Sequence, residues 1–278
     1  MFDRYPPKSV VVGVDGSRAA IRAARWAVDE VALTDTPLRL LYVTKPNPGA
    51  SPAEAGAALV AAEEVIHNAC SAIDEMGRPV KIETEIIEGH PVAGLIDASR
   101  STTLLCVGDT GAAQHPDVWL GSTAKELAES GHCTVAIVRG DRRDTGAVGE
   151  GWIVALADES PDGIDVLQMA LHEAQHRCAP LRVLTAAELP SSHFRDPDAS
   201  DSHMQRCVDD YADVEIETFH SEGSFLNYLT EHAESIELAV IGAAQAGELR
   251  QLLGAPGAMA LRDSHFSLLV VGFERPGR

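Results

Sequence analysis

The stretch Val10-Val11-Val12-Gly13-Val14-Asp15-Gly16-Ser17 is a short aliphatic run closed by Asp-x-Ser, and it returns in the second half of the chain as Ile153-Val154-Ala155-Leu156-Ala157-Asp158-Glu159-Ser160. The correspondence extends outward in the same order. Pro37-Leu38-Arg39-Leu40-Leu41 recurs as Pro180-Leu181-Arg182-Val183-Leu184. Val80-Lys81-Ile82-Glu83-Thr84, followed by Glu88-Gly89, recurs as Val214-Glu215-Ile216-Glu217-Thr218, followed by Glu222-Gly223. Leu104-Leu105-Cys106-Val107-Gly108 answers to Leu238-Ala239-Val240-Ile241-Gly242, and His132 with the run Val135 to Val138 answers to His265 with Leu268 to Val271. Matches in one order across both halves define an internal duplication, and a duplication fixes the architecture before any motif is read.

Within each copy, aliphatic runs alternate with stretches of helical period such as Ala19 to Ala32 and Ala57 to Ile73. That alternation predicts βαβ units, and therefore mostly parallel sheets with right-handed crossovers. The expected fold is α/β: two tandem doubly wound domains, each with strand order 3-2-1-4-5. The domains span residues 1–140 and 151–278. Between them the stretch 141–150 is polar and glycine-rich without hydrophobic period, which marks a linker. Pro46 to Gly56 and Glu188 to Asp201, rich in Pro, Ser and Asp, follow the second strand of each copy and read as mobile flaps beside the site.

Composition narrows the class. Apolar residues make up 45% of the 278 and aromatics 5%, which suits aliphatic parallel sheets under Ala-rich helices. With 42 acidic against 22 basic residues, the formal charge of -20 opposes attachment to nucleic acid or to anionic membrane surfaces. Met1 to Ser9 carries no apolar signal region, and runs such as Ser267 to Gly272 are too short to span a bilayer, so a cytoplasmic protein is expected. The five cysteines are odd in number and contain no C-x-x-C pair, which argues against a disulfide framework or a zinc cluster; most are expected to be buried thiols.

The chemistry concentrates in the first copy. After the run ending at Val107 comes Gly108-Asp109-Thr110-Gly111, then nine residues, then Gly121-Ser122-Thr123 opening a helix. Glycines let a phosphate chain approach backbone N–H groups, and a Gly-Ser-Thr helix start adds free N–H donors, hydroxyls and the positive end of the helix dipole. Lys125, about one turn in, adds a positive charge. Neither G-x-x-x-x-G-K-[ST] nor G-x-G-x-x-G occurs here, so two common phosphate loops are excluded. In the 3-2-1-4-5 order, the loops after the first and fourth strands flank the topological switch point, so Asp15 and the Gly108 loop should face one crevice.

Val11-Val12-Gly13-Val14-Asp15-Gly16-Ser17 together with Gly-x2-Gly-x9-Gly-Ser resembles the ATP-binding branch of the universal stress protein family, and the resemblance covers both halves. It implies an adenine nucleotide alpha hydrolase-like fold with ATP, accompanied by Mg²⁺, as the ligand. It further implies that Asp15, beside Gly13, contacts the adenosine side or holds the metal through water, and that Val43 meets adenine through its backbone. Gly108, Thr110, Gly111, Gly121, Ser122 and Thr123 would cradle the phosphates. The last strand of each copy would join the two domains antiparallel as an internal pseudo-dimer, and a homodimer is compatible with it. One departure stands out: family members often place Arg or His where Asp109-Thr110 stands here. A carboxylate beside phosphates repels them unless Mg²⁺ intervenes or the side chain points away.

The second copy lacks most of this cradle. Gly242-Ala243-Ala244-Gln245 is followed by eight residues and Gly254-Ala255, so the second glycine and the hydroxyl are missing and the spacing is one short. It reads as a structural or regulatory partner. His172-Glu173-Ala174-Gln175-His176 is a literal H-E-x-x-H, the helical zinc motif of metalloproteases. By the repeat alignment, however, it corresponds to Asp29 through Leu33, read as solvent-facing, and no third ligand follows at suitable spacing. His132 and His265 are expected to cap or pack, and Arg142-Arg143 to be a solvated pair. The favoured function is an ATP-binding stress or dormancy regulator with an unidentified protein partner and at most slow hydrolysis. Alternatives are an adenylyl-transferring ligase, which would need a basic catalytic loop that is absent, and a nucleotide-free scaffold.

Overall fold

The computed structural model describes residues 9–32, 34–112, 119–140, 151–185, 203–220 and 223–272. The chain divides into two compact units, the first running through Arg139 and the second starting at Gly140. The proposed linker 141–150, the pair Arg142-Arg143 and the flap Glu188 to Asp201 lie outside the described residues.

The first unit runs β1 (Ser9–Gly13), α1 (Arg18–Val31), β2 (Leu38–Thr44), α2 (Pro52–Asp74), β3 (Ile82–Glu88), α3 (Pro91–Ala98), β4 (Thr102–Gly108), α4 (Ser122–Ser130) and β5 (Thr134–Val138). Its strands are all parallel in the order β3-β2-β1-β4-β5. Val10, Val11 and Val12 of the central strand are all buried, as expected where both faces of a sheet are covered. The buried stripe of α1 is alanine at Ala20, Ala23, Ala24 and Ala27, and so small a surface lets the helix approach the sheet closely. Ser17 starts that helix by accepting the Ala20 N–H at 3.0 Å, and Gly16 before it adopts φ +82°, a left-handed turn that other side chains resist.

Helix α2 begins earlier than its hydrophobic period indicates, at Pro52 rather than near Ala57. Ser51 and Glu54 form a reciprocal capping box with Pro52 in the first turn, so much of the expected flap is helix. The signal Ser51-Pro52-x-Glu54 was present in the sequence and outweighs the loop-like composition around it. Edge strand β3 is largely exposed and carries Glu83, Glu85 and Glu88, charges that discourage pairing with another chain.

The second unit repeats the plan as β6 (Trp152–Ala157), α5 (Pro161–Arg177), β7 (Leu181–Thr185), α6 (His203–Asp209), β8 (Ile216–His220), α7 (Phe225–Glu231), β9 (Ile236–Gly242), α8 (Ala246–Leu253), α9 (Ala255–Ala260) and β10 (Ser267–Val271). Its parallel order, β8-β7-β6-β9-β10, is the same 3-2-1-4-5 pattern. No described helix is long and apolar enough to cross a membrane.

The cysteines are less uniform than expected: Cys106 and Cys133 are buried, Cys70 and Cys207 half-buried, and Cys178 exposed. Burial pushes the Cys133 thiol up to about 12. Because the raised value favours the protonated thiol, the nucleophilic thiolate is scarce at every pH below that value. Alkylation of native protein at pH 8, read by peptide mass spectrometry, should therefore label Cys178 and leave Cys133 unmodified until the protein is denatured.

Candidate functional site

The carboxyl ends of β1 and β4 meet at the switch point, and Asp15 ties them together. One carboxylate oxygen accepts the Ser17 N–H at 2.9 Å, shaping the turn into α1; the other accepts the Ala112 N–H at 2.9 Å from the loop after β4. A Cβ on Gly111 would lie 3.0 Å from that second oxygen, so the two predicted residues face each other closely. Across the same loop, Gly121 N-caps α4 and donates its own N–H to the Asp109 carbonyl at 2.7 Å. Gly121 has no side chain to cap the helix, so the first-turn amides from Ser122 onward receive no side-chain acceptor from the N-cap. Ser122 is exposed, Thr123 and Lys125 are half-buried, and Lys125 makes no ion pair with a described residue. The arrangement sets the start of α4, with its first-turn N–H groups and the positive end of its dipole, beside the loop that Asp15 reaches.

The other predicted residues divide. Gly108 has a packing reason: a Cβ there would fall 2.5 Å from the Ala19 carbonyl carbon, so its lack of a side chain admits the start of α1. Gly13 is similar, since a Cβ would meet Leu95 and Val107 side chains at 3.0 and 3.2 Å. Thr110 is half-buried in the loop. Val43 lies one strand away on β2, paired with Ile87, and its side chain flanks Gly94 of α3. Next to it, a cavity of about 320 Å³ opens at the ends of β2 and β3 between Thr44, Lys45, Ala55, Leu59 and Ile86. None of the predicted site residues lines that cavity, although Thr44 directly follows Val43.

Asp109 does not confront the crevice as a bare charge. It is 7% exposed, and its carboxylate accepts Arg22 Nη2 at 3.1 Å and lies 3.7 Å from Arg139 Nε. Two guanidinium groups therefore offset the expected repulsion of phosphate. Sequence reasoning missed both arginines. Arg139 was reachable through register, because Gly108 pairs with Val138 and their successors are neighbours; Arg22, separated from Asp109 by most of the unit, left no local signal.

The corresponding crevice of the second unit is filled from within. Gln245 accepts the Gly242 N–H through its side-chain oxygen at 3.0 Å and donates its amide to the Leu156 carbonyl at 3.0 Å, bridging the ends of β9 and β6. Asp158 and Ser160 persist there as a cap: Asp158 accepts the Ser160 N–H at 3.0 Å, and Ser160 accepts the Gly163 N–H at 3.0 Å. The repeated Asp-x-Ser is thus a helix-start device in both copies, and the reach to the loop after the fourth strand is seen in the first.

The reading of the H-E-x-x-H segment as solvent-facing is corrected as well. Glu173 is 1% exposed and bound by Arg177 Nε at 2.9 Å, so it cannot serve a metal on the outer face where His172 and His176 lie. Its counterpart stretch is not wholly solvent-facing either, since Asp29 is buried and paired with Arg78. Among the described residues no group of three or more His, Cys, Asp or Glu could hold a metal ion. His132 and His265 are exposed rather than packed, and the His132 N–H donates to Ser99 Oγ at 3.0 Å.

Comparison with known proteins bears on the family and the fold. Residues 7–139 match the profile described as the universal stress protein family. Universal stress protein Rv2028c of Mycobacterium tuberculosis strain H37Rv is 39% identical over 98% of this chain and 99% of its own length. Universal stress protein Rv2624c of the same strain is 38% identical over 95% and 96%. A universal stress protein structure from Archaeoglobus fulgidus superposes with a TM-score of 0.71 at 17% identity, covering 98% of this chain and 99% of that one, which supports the fold alone. With relatives of this similarity spanning nearly its entire length, the chain belongs to the universal stress protein family.

Proposed function

We propose that the first unit binds one ATP, with Mg²⁺, in the crevice between the Asp15 turn and the start of α4, and that occupancy regulates a stress or dormancy response through an unidentified protein partner. The observation that carries the reading is the Asp15 carboxylate on the Ala112 N–H, which draws the β1 and β4 loops into one anion-facing crevice beside an uncapped helix start. The donor set fits Mg²⁺ held chiefly by phosphates: Mg²⁺ commonly takes one or two protein carboxylates plus phosphate oxygens, and Asp15 is an exposed carboxylate at the crevice while Asp109 is engaged by arginines. Bound Mg²⁺ would neutralise phosphate charge. The Gln245 bridge argues for a single nucleotide per chain.

Native mass spectrometry of freshly purified protein tests this, with one bound ATP per chain expected. Asp15→Ala combined with Ser122→Ala, or Gly111→Glu alone, should abolish retention while the far-ultraviolet circular dichroism stays unchanged. Retention of ATP after those changes would move the site elsewhere, the cavity beside Thr44 being the first place to look. Formation of an adenylylated product would favour the ligase reading, and persistent emptiness would favour the scaffold.

A further inference from the structure

Asp109 is held at four points, by α1, by the start of α4 and by the end of β5. Its N–H donates to the Val138 carbonyl of β5 at 3.0 Å, its carbonyl accepts the Gly121 N–H at 2.7 Å, and its buried carboxylate takes Arg22 of α1 at 3.1 Å and Arg139 at 3.7 Å. Arg139 then donates Nη1 to the Trp119 carbonyl at 3.0 Å, so the same cluster grips both ends of the loop, at Asp109 and at Trp119 to Gly121. Trp119 and Leu120 are themselves buried, which anchors the approach to α4.

The second copy serves as an internal control. There the positions of Arg22, Asp109 and Arg139 are held by Asp165, Ala243 and Gly272, so none of the three charges is kept. Ala243 still donates its N–H to the Val271 carbonyl at 3.0 Å, so the turn after the fourth strand forms without a carboxylate. The charged cluster accompanies the copy in which Asp15 reaches the loop after the fourth strand, not the turn, and in the copy that lacks it Gln245 bridges the ends of the fourth and first strands.

We infer that Arg22, Asp109 and Arg139 form a positioning device that hangs Gly121 and the first-turn amides of α4 at the spacing an anion requires. Asp109 acts through the backbone it restrains, not by touching the ligand. Its carboxylate, unfavourable beside phosphate by simple charge, is instead the hub of the cradle. The functional half of this inference rests on the ATP reading above; the structural half does not.

The test uses the intact chain with MgATP as probe and two variants, Asp109→Asn and Arg139→Lys. The first removes a negative charge. The second keeps its charge while replacing the fork that reaches both Trp119 and Asp109 with a single ammonium. Both should weaken MgATP binding by about tenfold, and both should speed amide hydrogen exchange at Gly121 through Lys125. A role through charge alone gives a different result: tighter binding for Asp109→Asn and unchanged binding for Arg139→Lys, which would overturn the inference. If wild type itself does not bind MgATP, the ATP reading fails while exchange still decides this one, because unchanged exchange in the variants refutes positioning and faster exchange supports it. Should Asp109→Asn fail to fold, Arg139→Lys alone carries both measurements. Slowing of exchange toward the wild-type rate in Arg139→Lys at saturating MgATP would further support positioning.

Discussion

Gly108→Ala is expected to lower the stability of the first unit by about 3 kcal/mol, near the upper end for overpacking a close contact, with a fall in its melting temperature of roughly 10 °C. The added Cβ would stand 2.5 Å from the Ala19 carbonyl carbon, 2.6 Å from its Cβ and 2.8 Å from its oxygen. Those are atoms at the start of a helix, not the far end of a flexible side chain. The helix cannot simply withdraw, because its alanine stripe is buried along its length. Gly111→Ala is the informative partner. Its Cβ would meet only the Asp15 carboxylate oxygen, at 3.0 Å, and that exposed group can shift slightly without giving up the Ala112 N–H, so stability should change by less than about 0.5 kcal/mol. Thermal melts and urea titrations of both variants check the contrast. Should Gly108→Ala melt like wild type yet lose nucleotide, Gly108 would be a ligand contact rather than a packing position.

Glu173→Ala should be nearly as damaging, at about 3 kcal/mol, the low end for breaking a buried ion pair from one side. Arg177 has a side chain only 4% exposed and holds Glu173 at 2.9 Å and Glu237 at 3.2 Å. Removing Glu173 takes from the desolvated guanidinium the more buried of its two described carboxylate partners and leaves the partly exposed Glu237. His172→Ala, on the outer face of the same helix, should change stability by no more than about 0.5 kcal/mol. The zinc reading of H-E-x-x-H requires the opposite pattern: a stable Glu173→Ala protein, and metal lost with the histidines. Urea unfolding followed by signals from the second unit, together with zinc analysis of the purified protein, separates the two.

Both predictions turn on residues whose roles change between chain and fold. Gly108 looks like part of a phosphate loop because glycine spacing is visible in one dimension, whereas the backbone it must admit lies far away in sequence on α1. Glu173 looks like a catalytic base because a five-residue pattern matches, whereas its burial depends on which face α5 turns inward.

What the sequence determined by itself is the duplicated α/β plan: the strand and helix alternation, the 3-2-1-4-5 order in each unit, the helix starts at Ser17 and Ser160, and the one copy with an unbroken glycine series. These follow from aliphatic runs, residue periodicity and cap residues, all of which act over a few neighbours. The early start of α2 belongs with them, since Ser51 and Glu54 are local even though the period of the helix concealed them. The tertiary structure alone decided where the charges and amides point. It turned Asp109 into the arginines, closed the second crevice with Gln245, and paired Glu173 with Arg177. The physical reason is that the cost of burying a polar group depends on partners brought close by packing, and Arg22 reaches Asp109 only after β4 and the start of α1 have been laid side by side.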